Sequence, residues 1–308
     1  MRAGRHLVGP VLAAALLVLA GAAAADETVS VTPVGGRAAI PATLLKPPGD
    51  GPFAAVVMLH DCSGLGPKSS GAPRRWASEL VAQGYAVIIP DSFGPRGHPD
   101  GICTVPVTRQ QGVGFADRVA DAYGALAYLR SLPFVDGRRI AVMGGSHGGA
   151  TTLTALLPPG SAGTPLDTAR ADGFVAGVAL YPRCGMRLGG WNVARHNGNV
   201  GPVTGYFGVY RPTGALLILA GEADDWTPAE HCRRMAEASA AAGHAVDIRI
   251  YPGAHHSFDS ESPVRYVAER NSPEPYDGKG ATTGGNAAAW AVAREDVRAF
   301  LARVLAPQ

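Results

Sequence analysis

Charged residues make up only 17% of this 308-residue chain, and they form no long run of one sign. Proteins that bind nucleic acid concentrate Lys and Arg on a basic face, so this distribution argues against a nucleic-acid partner. The sequence also lacks the composition of a collagen or a coiled coil. Its apolar content of 46% indicates instead a globular protein with a large core.

The first 25 residues contain no acidic residue and have the three parts of a secretory signal peptide. Arg2 and Arg5 form a basic start, residues 11–20 are an apolar run, and Ala23–Ala25 place small side chains before Asp26. A membrane-spanning helix needs about 20 apolar residues, so this run is too short. We predict cleavage after residue 25 and a periplasmic or secreted protein without membrane insertion. A retained anchor helix is the alternative.

Removal of residues 1–25 leaves 25 basic and 25 acidic residues, a formal net charge of zero. This neutral balance is a second argument against a nucleic-acid partner. Residues 26–308 contain no internal repeat and no linker that would divide them. They are therefore predicted to form a single domain. α/β domains routinely reach this length. The oligomeric state cannot be read from the sequence.

Short apolar runs alternate with segments of helical spacing, which predicts an α/β fold with a mostly parallel sheet and helices on both faces. A hairpin is predicted at 28–32 and 38–45, and two stretches, 161–170 and 259–285, read as irregular. The predicted strands are 54–59, 85–90, 139–143, 174–181, 215–220 and 246–251. The predicted helices are 76–82, 115–132, 147–157, 229–242 and 287–305.

The four cysteines, Cys62, Cys103, Cys184 and Cys232, all lie in the exported part of the chain. An even number of cysteines in an oxidising compartment favours disulfides, and four allow three connectivities. We favour Cys62–Cys103 and Cys184–Cys232, because each pair joins loops expected at the same end of the sheet. Buried free thiols are the alternative. No pair has C-x2-C spacing, so zinc is not indicated and no metal is predicted.

The sequence GGSHG at residues 144–148 follows an apolar strand directly and begins a helix. This is the setting of a nucleophile elbow, in which flanking glycines permit a sharp turn that presents the central Ser, here Ser146. The alternative is a glycine-rich turn that binds an anion or has no catalytic role. The amide of His147, the residue after the nucleophile, is a predicted oxyanion donor. The amide of Cys62, after the strand 54–59, is the predicted second donor.

A serine nucleophile needs a base that is itself oriented by an acid, and in the elbow architecture the chain order is Ser, acid, His. An acid follows the strand 215–220, where Asp224 and Asp225 are adjacent. A histidine pair, His255 and His256, follows the strand 246–251. Helix capping by Asp224 and a surface position for the histidines are the structural alternatives. The common order and strand-end placement favour catalysis.

Five motifs together resemble the dienelactone hydrolase family of the α/β-hydrolase superfamily, over roughly residues 31–305. The resemblance implies a triad of Ser146, Asp224 and His256, with Asp224 and His256 chosen over Asp225 and His255 by the family pattern. The motifs are HDCSGL at 60–65, PDSFGPR at 90–96, GGSHGG at 144–149, GEADDWTP at 221–228 and YPGAHHSF at 251–258.

Two positions differ from this pattern. The family uses Cys as nucleophile where this chain has Ser146, and the second of two arginines that grip a substrate carboxylate is replaced by Ser260. The first of those arginines is matched by Arg96, which is predicted either to bind substrate or to pair with a neighbouring acid. Asp61 occupies the place of an acid that helps to activate the family's thiol. Trp226 is predicted to contact substrate or to belong to the core.

The sequence therefore predicts an exported serine hydrolase that cleaves a small-molecule carboxylic ester or lactone. Ser146 would form an acyl-enzyme, His256 would be the base and Asp224 its orienting acid, with no cofactor. A peptidase or an acyltransferase with the same triad is one alternative, because its first half-reaction is identical. A non-catalytic binding protein on this fold is another.

Overall fold

The computed structural model describes residues 26–161, 173–197, 200–272 and 279–307. The predicted signal peptide, residues 1–25, lies outside the described residues, as does most of the stretch 161–170. Within these residues the strands are β1 Glu27–Val31, β2 Ile40–Leu45, β3 Phe53–Leu59, β4 Ala86–Pro90, β5 Val135–Gly145, β6 Ala176–Leu180, β7 Asn192–Asn197, β8 Val200–Phe207, β9 Ala215–Gly221, β10 Val246–Tyr251, β11 Arg265–Asn271 and β12 Lys279–Thr283. The α-helices of the same residues are α1 Ala72–Ala82, α2 Phe115–Arg130, α3 His147–Ala155, α4 Ala229–Ala241 and α5 Ala287–Val304.

Eight strands form the main sheet, in the order β1-β2-β4-β3-β5-β6-β9-β10. Strands β1 and β2 pair antiparallel with each other, and β2 pairs antiparallel with β4. All the pairings from β4 to β10 are parallel. The α/β class and the mostly parallel sheet predicted from the sequence are confirmed.

The parallel strands are continuous apolar runs because both faces of the sheet are covered. In β3, Ala55, Val57 and Leu59 belong to one core cluster, while Val56 and Met58 belong to the other. Helices α2, α3 and α4 contribute to the first cluster, and α1 and α5 contribute to the second. The sheet is therefore the middle of three layers. None of the helices in the described part of the chain has the length and hydropathy that a membrane span requires.

The polarity of the sheet positions the candidate site. Parallel strands place their carboxyl ends at the same edge, and loops at that edge are where α/β proteins bind their ligands. Strands β3, β5, β9 and β10 end just before Cys62, Ser146, Asp224 and His256, respectively. Four segments that are far apart in the chain therefore converge there.

Two hairpins outside the main sheet were not predicted. Strands β7 and β8 pair with each other, and β11 pairs with β12 inside the stretch 259–285 that reads as irregular. Their sequences lack a sustained two-residue alternation of apolar and polar residues, so the pairing has no clear hydrophobic signature. The β11–β12 hairpin is anchored over the sheet edge by Trp226 and Asn271: the Trp226 indole donates to the Asn271 carbonyl at 2.8 Å, and the Asn271 amide donates to the Val105 carbonyl at 2.7 Å.

Both favoured disulfides are present. Cys62 is bonded to Cys103, and Cys184 is bonded to Cys232. The first bond ties the loop after β3 to the segment between β4 and α2, while the second ties the loop after β6 to helix α4. None of the four cysteines is a free thiol.

Candidate active site

Ser146 lies at a strained turn between β5 and α3. Its φ of 53° and ψ of −113° are unusual for a residue with a side chain. The flanking glycines are needed because other backbone segments approach closely. A Cβ on Gly148 would lie 2.4 Å from the Leu59 carbonyl oxygen, and one on Gly144 would lie 2.6 Å from the Gly148 carbonyl carbon. The strand–turn–helix setting expected for GGSHG is therefore present.

The structure brings Ser146, His256 and Asp224 together. His256 Nε2 lies 2.8 Å from Ser146 Oγ, and His256 Nδ1 lies 2.8 Å from Asp224 Oδ2. His256 is fully buried, and Ser146 is exposed over only 9% of its surface. If Nδ1–H donates to the carboxylate, Nε2 is left as an acceptor for the serine hydroxyl, which is the arrangement that a general base requires.

Local hydrogen bonds orient Asp224. Its Oδ1 accepts from the amides of Trp226 at 2.9 Å and Thr227 at 2.8 Å, and its Oδ2 accepts from the Thr227 hydroxyl at 2.9 Å. The neighbouring Asp225 points elsewhere, accepting from the amide and hydroxyl of Thr282. Between the two adjacent acids, only Asp224 contacts the histidine.

The second histidine of the pair is also placed elsewhere. His255 Nδ1 lies 2.9 Å from the Ala223 carbonyl oxygen, whereas the His256 ring lies between two aromatic side chains. Its centroid is 4.7 Å from the Tyr181 ring and 4.6 Å from the Trp226 ring. The predicted substrate-contacting Trp226 is 7% exposed and lines the space next to Ser146. Trp226 therefore has features of both predicted roles: it is almost fully buried, as a core residue is, and it lines the space beside the serine, as a substrate-contacting residue does.

The two predicted oxyanion donors are on segments that border Ser146. Cys62 and His147 line the same cleft as the serine. Neither of their amides donates a backbone hydrogen bond within the described residues, apart from bonds inside helices and strands. His147 is the first residue of α3, so its N–H has no acceptor inside the helix. Within the described residues, both amides are therefore available to an oxyanion.

A buried arginine that the sequence did not single out connects these two segments. Arg118 donates to the His60 carbonyl at 2.7 Å and lies 2.9 Å from His147 Nδ1. Its guanidinium stacks on Phe93, 4.9 Å from the ring centroid. Burial, together with the Arg118 charge, holds the pKa of His147 well below its ordinary value. The imidazole is therefore neutral at neutral pH, and its Nδ1 accepts from Arg118.

We expect Arg118→Met to lower kcat for a neutral ester by about 10²-fold while KM changes little, the effect of one misplaced oxyanion donor. The physical reason is that Arg118 holds His60 and His147, next to the two predicted donors. Steady-state kinetics on folded protein, with urea unfolding alongside, make the measurement. Loss of stability with unchanged kcat would show that Arg118 only supports the fold.

The structure does not bring Arg96 to the site. Its guanidinium forms two 2.7 Å hydrogen bonds to the buried carboxylate of Asp121 and a third to the Ser92 carbonyl. It lines neither of the clefts that reach Ser146. The predicted alternative, a loop arginine paired with a neighbouring acid, describes this geometry, whereas the predicted substrate-binding role does not.

For this reason Arg96→Gln is expected to change stability rather than activity. It leaves the fully buried Asp121 without its paired charge, and breaking such a pair costs about 3–5 kcal/mol of the free energy of unfolding. Urea unfolding measures this loss. The exposed Arg298 on α5 is the control, since Arg298→Gln should shift stability by less than about 0.5 kcal/mol. A large fall in kcat/KM without destabilisation would contradict the structural role.

Among the described residues, two clefts of different character are lined by Ser146. The apolar cleft has a volume of about 310 Å³ and includes Ile102, Phe115 and Ala150 in its wall. The polar cleft has a volume of about 100 Å³ and includes Asp61 and the arginines of strand β11, Arg265 and Arg270. These arginines lie outside every recognised motif; the length of the stretch 259–285 indicated a functional loop but not which of its residues enter the site. The described residues contain no cluster of three or more His, Cys, Asp or Glu suited to a metal ion.

The mostly parallel sheet and the serine at its strand–helix turn define an α/β hydrolase. A family model described as "Dienelactone hydrolase family" matches residues 40–160 and 183–303, and the chain belongs to this family. It is therefore a hydrolase that acts on ester bonds. A protein of Methylorubrum extorquens named as a carboxymethylenebutenolidase is 27% identical over 233 residues, which are 75% of this chain and 72% of that protein.

Solved structures share the fold. A structure named as a dienelactone hydrolase from Klebsiella pneumoniae has a TM-score of 0.61 and 19% identity, covering 91% of this chain and 99% of its own. Thermogutta terrifontis esterase 2 phosphorylated by paraoxon has a TM-score of 0.60 and 18% identity, covering 92% of this chain and 96% of its own. At these identities the likeness establishes the fold alone.

Proposed function

We propose that this protein is an exported serine hydrolase that cleaves a small-molecule carboxylic ester or lactone through an acyl-enzyme on Ser146. The observation that carries the proposal is the unbroken hydrogen-bonded chain from Ser146 Oγ through His256 to Asp224, at 2.8 Å for each contact. A hydroxyl is a weak nucleophile at its ordinary pKa, and an adjacent oriented base is what activates it.

In the first half-reaction, Ser146 Oγ attacks the ester carbonyl carbon and His256 Nε2 takes the hydroxyl proton. The carbonyl oxygen becomes an oxyanion, which accepts hydrogen bonds from the amides of Cys62 and His147. The bond to the alcohol oxygen then breaks, and His256 returns the proton to the leaving alcohol. Throughout, Asp224 stabilises the imidazolium and stays ionised.

In the second half-reaction, water attacks the acyl-enzyme while His256 Nε2 takes one of its protons. The second tetrahedral oxyanion uses the same two amides. Its collapse breaks the bond to Ser146 Oγ, and His256 gives the proton back to the serine. The products are the free acid and the restored enzyme, so the cycle needs no metal ion or organic cofactor.

The comparisons support the substrate class and the disulfides support export. The relative from Methylorubrum extorquens is named for a lactone substrate, and the fold neighbour from Thermogutta terrifontis is named as an esterase. Two disulfides favour an oxidising compartment, in agreement with the signal peptide predicted at residues 1–25.

The test is labelling of the mature protein with a fluorophosphonate, followed by peptide mass spectrometry, with p-nitrophenyl acetate hydrolysis measured alongside. We expect the label on Ser146 and its loss in His256→Ala. The neighbouring His255→Ala is the matched control and should still be labelled, because His255 contacts the Ala223 carbonyl and not the serine. Folded protein that neither takes the label nor hydrolyses the ester would overturn the proposal in favour of a non-catalytic binding protein.

A further inference from the structure

The two clefts beside Ser146 are separated by a shared wall. Trp226 and the Cys62–Cys103 disulfide line both of them, with the serine at the junction. A substrate whose scissile carbonyl sits at Ser146 would therefore place one part in the apolar cleft and the other in the polar cleft. The chemistry of the two linings then defines what each part of the substrate carries.

The polar cleft has an excess of positive charge. Its charged lining residues are Asp61, Lys68, Arg265 and Arg270, a net formal charge of +2. Lys68 is paired with Asp100 at the surface. The Asp61 carboxylate already accepts hydrogen bonds from hydroxyl groups of neighbouring serines in the lining. Within the described part of the chain, neither of the two arginines forms a hydrogen bond or an ion pair with a carboxylate.

Both arginines belong to β11 and line the polar cleft. Arg265 pairs in register with Thr283 on β12, whereas Arg270 lies in the irregular part of the hairpin, between Val267 and Asn271. Residues in such an irregular part are not bound to the regular alternation of a strand.

Arg270 is the more deeply placed of the two. Its guanidinium stacks on Trp226, 4.4 Å from the ring centroid, and its Nε is buried without a hydrogen-bond partner. Burial lowers the pKa of Arg270, the direction expected for a cation that has lost water without gaining a full counter-charge. A bound anion would supply both the missing charge and the missing acceptor.

The position of His256 indicates which part of the substrate enters the polar cleft. The departing alcohol oxygen must receive its proton from His256, so the alcohol part leaves on the histidine side. Ser257 and Thr283 line the polar cleft; Ser257 directly follows His256, and the Thr283 hydroxyl donates to the His256 carbonyl. The apolar cleft lies along α3, with His147 and Ala150 in its wall. It also includes Thr227, but that residue contacts His256 at Nδ1, whereas the proton passes through Nε2, which faces Ser146.

We propose that the polar cleft is an anion-binding subsite, in which Arg270, assisted by Arg265, holds a carboxylate on the alcohol part of an ester whose acyl part is apolar. The proposal rests on the proposed function of Ser146. Arg96 is bonded to Asp121 and lines neither cleft, while position 260, in the wall of the polar cleft, carries an uncharged serine. The anion is therefore held by residues of the β11–β12 hairpin.

The test compares two small esters of butyric acid, O-butyrylglycolate and its neutral amide O-butyrylglycolamide, by the ratio of their kcat/KM values. Arg270→Gln is expected to lower this ratio about 10- to 100-fold, the effect of one lost hydrogen bond to a charged group. Differences in intrinsic reactivity cancel when ratios are compared between variants. Arg265→Gln should lower the ratio less, because Arg265 is exposed. Arg298→Gln on α5 is the control and should leave it unchanged.

An unchanged ratio in Arg270→Gln would overturn the subsite while leaving the serine mechanism intact. A preference for p-nitrophenyl hemisuccinate over the neutral p-nitrophenyl butyrate that depends on Arg270 would overturn the placement. The hemisuccinate carries its anion on the acyl part and not on the alcohol part. If the wild-type protein hydrolyses neither butyrate ester, the proposed function fails separately. The subsite is then tested by calorimetry of both esters with Ser146→Ala protein. Equal affinities, or a preference that survives Arg270→Gln, would overturn it.

Discussion

Ser146→Ala is expected to lower kcat for p-nitrophenyl butyrate by about 10⁴- to 10⁶-fold, the loss seen when a triad nucleophile is removed. The substitution deletes the hydroxyl that lies 2.8 Å from His256 Nε2 and leaves no other serine within reach of that nitrogen among the hydrogen bonds of the described chain. Alanine keeps the Cβ, so the strain of the turn at φ 53° is unchanged and the protein should fold.

The measurement combines steady-state kinetics with thermal unfolding, so that activity is compared between folded proteins. Ser78→Ala on the exposed face of α1 is the control and should keep wild-type activity, because the Ser78 hydroxyl donates only to the Arg74 carbonyl within its own helix. Hydrolysis by Ser146→Ala at more than about one hundredth of the wild-type rate would contradict an acyl-enzyme at this serine.

Asp224→Asn is expected to lower kcat by about 10⁴-fold with little change in the overall structure. An amide side chain can turn its NH₂ group toward His256 Nδ1, which stabilises the tautomer whose proton faces Ser146 and which cannot act as a base. It also removes the negative charge that stabilises the imidazolium. The two amides that donate to Oδ1 hold the side chain in place, so the defect should be chemical rather than structural.

The adjacent Asp225→Asn is the matched control for this change. Asp225 accepts hydrogen bonds from Thr282 on the β11–β12 hairpin and makes no contact with His256. Its kcat for a neutral ester should stay within about threefold of wild type. If the two variants lost activity equally, the loop as a whole would be responsible, and the specific role of Asp224 would be wrong.

The sheet and the convergence of Ser146 with an acid and a histidine could be predicted from local sequence signals, while the choice of Asp224 over Asp225 and of His256 over His255 came from the resemblance to the family. Buried parallel strands are continuous apolar runs, and their carboxyl ends share one edge of the sheet. A polar motif directly after such a strand is therefore placed in space by the strand that precedes it. The pairing of Cys62 with Cys103 was predicted by the same reasoning, since both segments lie at that edge.

The residues that the sequence could not place are held by long-range contacts. Arg96 is bonded to Asp121, whereas Arg118 is bonded to His60 and His147. Nothing in the local sequence of an arginine shows which acceptor will face it after folding. Arg270 was not singled out because it lies in the irregular part of a polar hairpin, which has no hydrophobic pattern to reveal it.

The Cys62–Cys103 bond has a consequence for when this protein can work. The amide proposed to hold the oxyanion belongs to a half-cystine, so the disulfide ties the loop that carries this amide to the segment between β4 and α2. If the protein is exported as proposed, a newly made chain would carry its nucleophile and base before it gains this covalent tether. We therefore expect full turnover only after oxidation, measured as ester hydrolysis by the same protein before and after treatment with a thiol reductant.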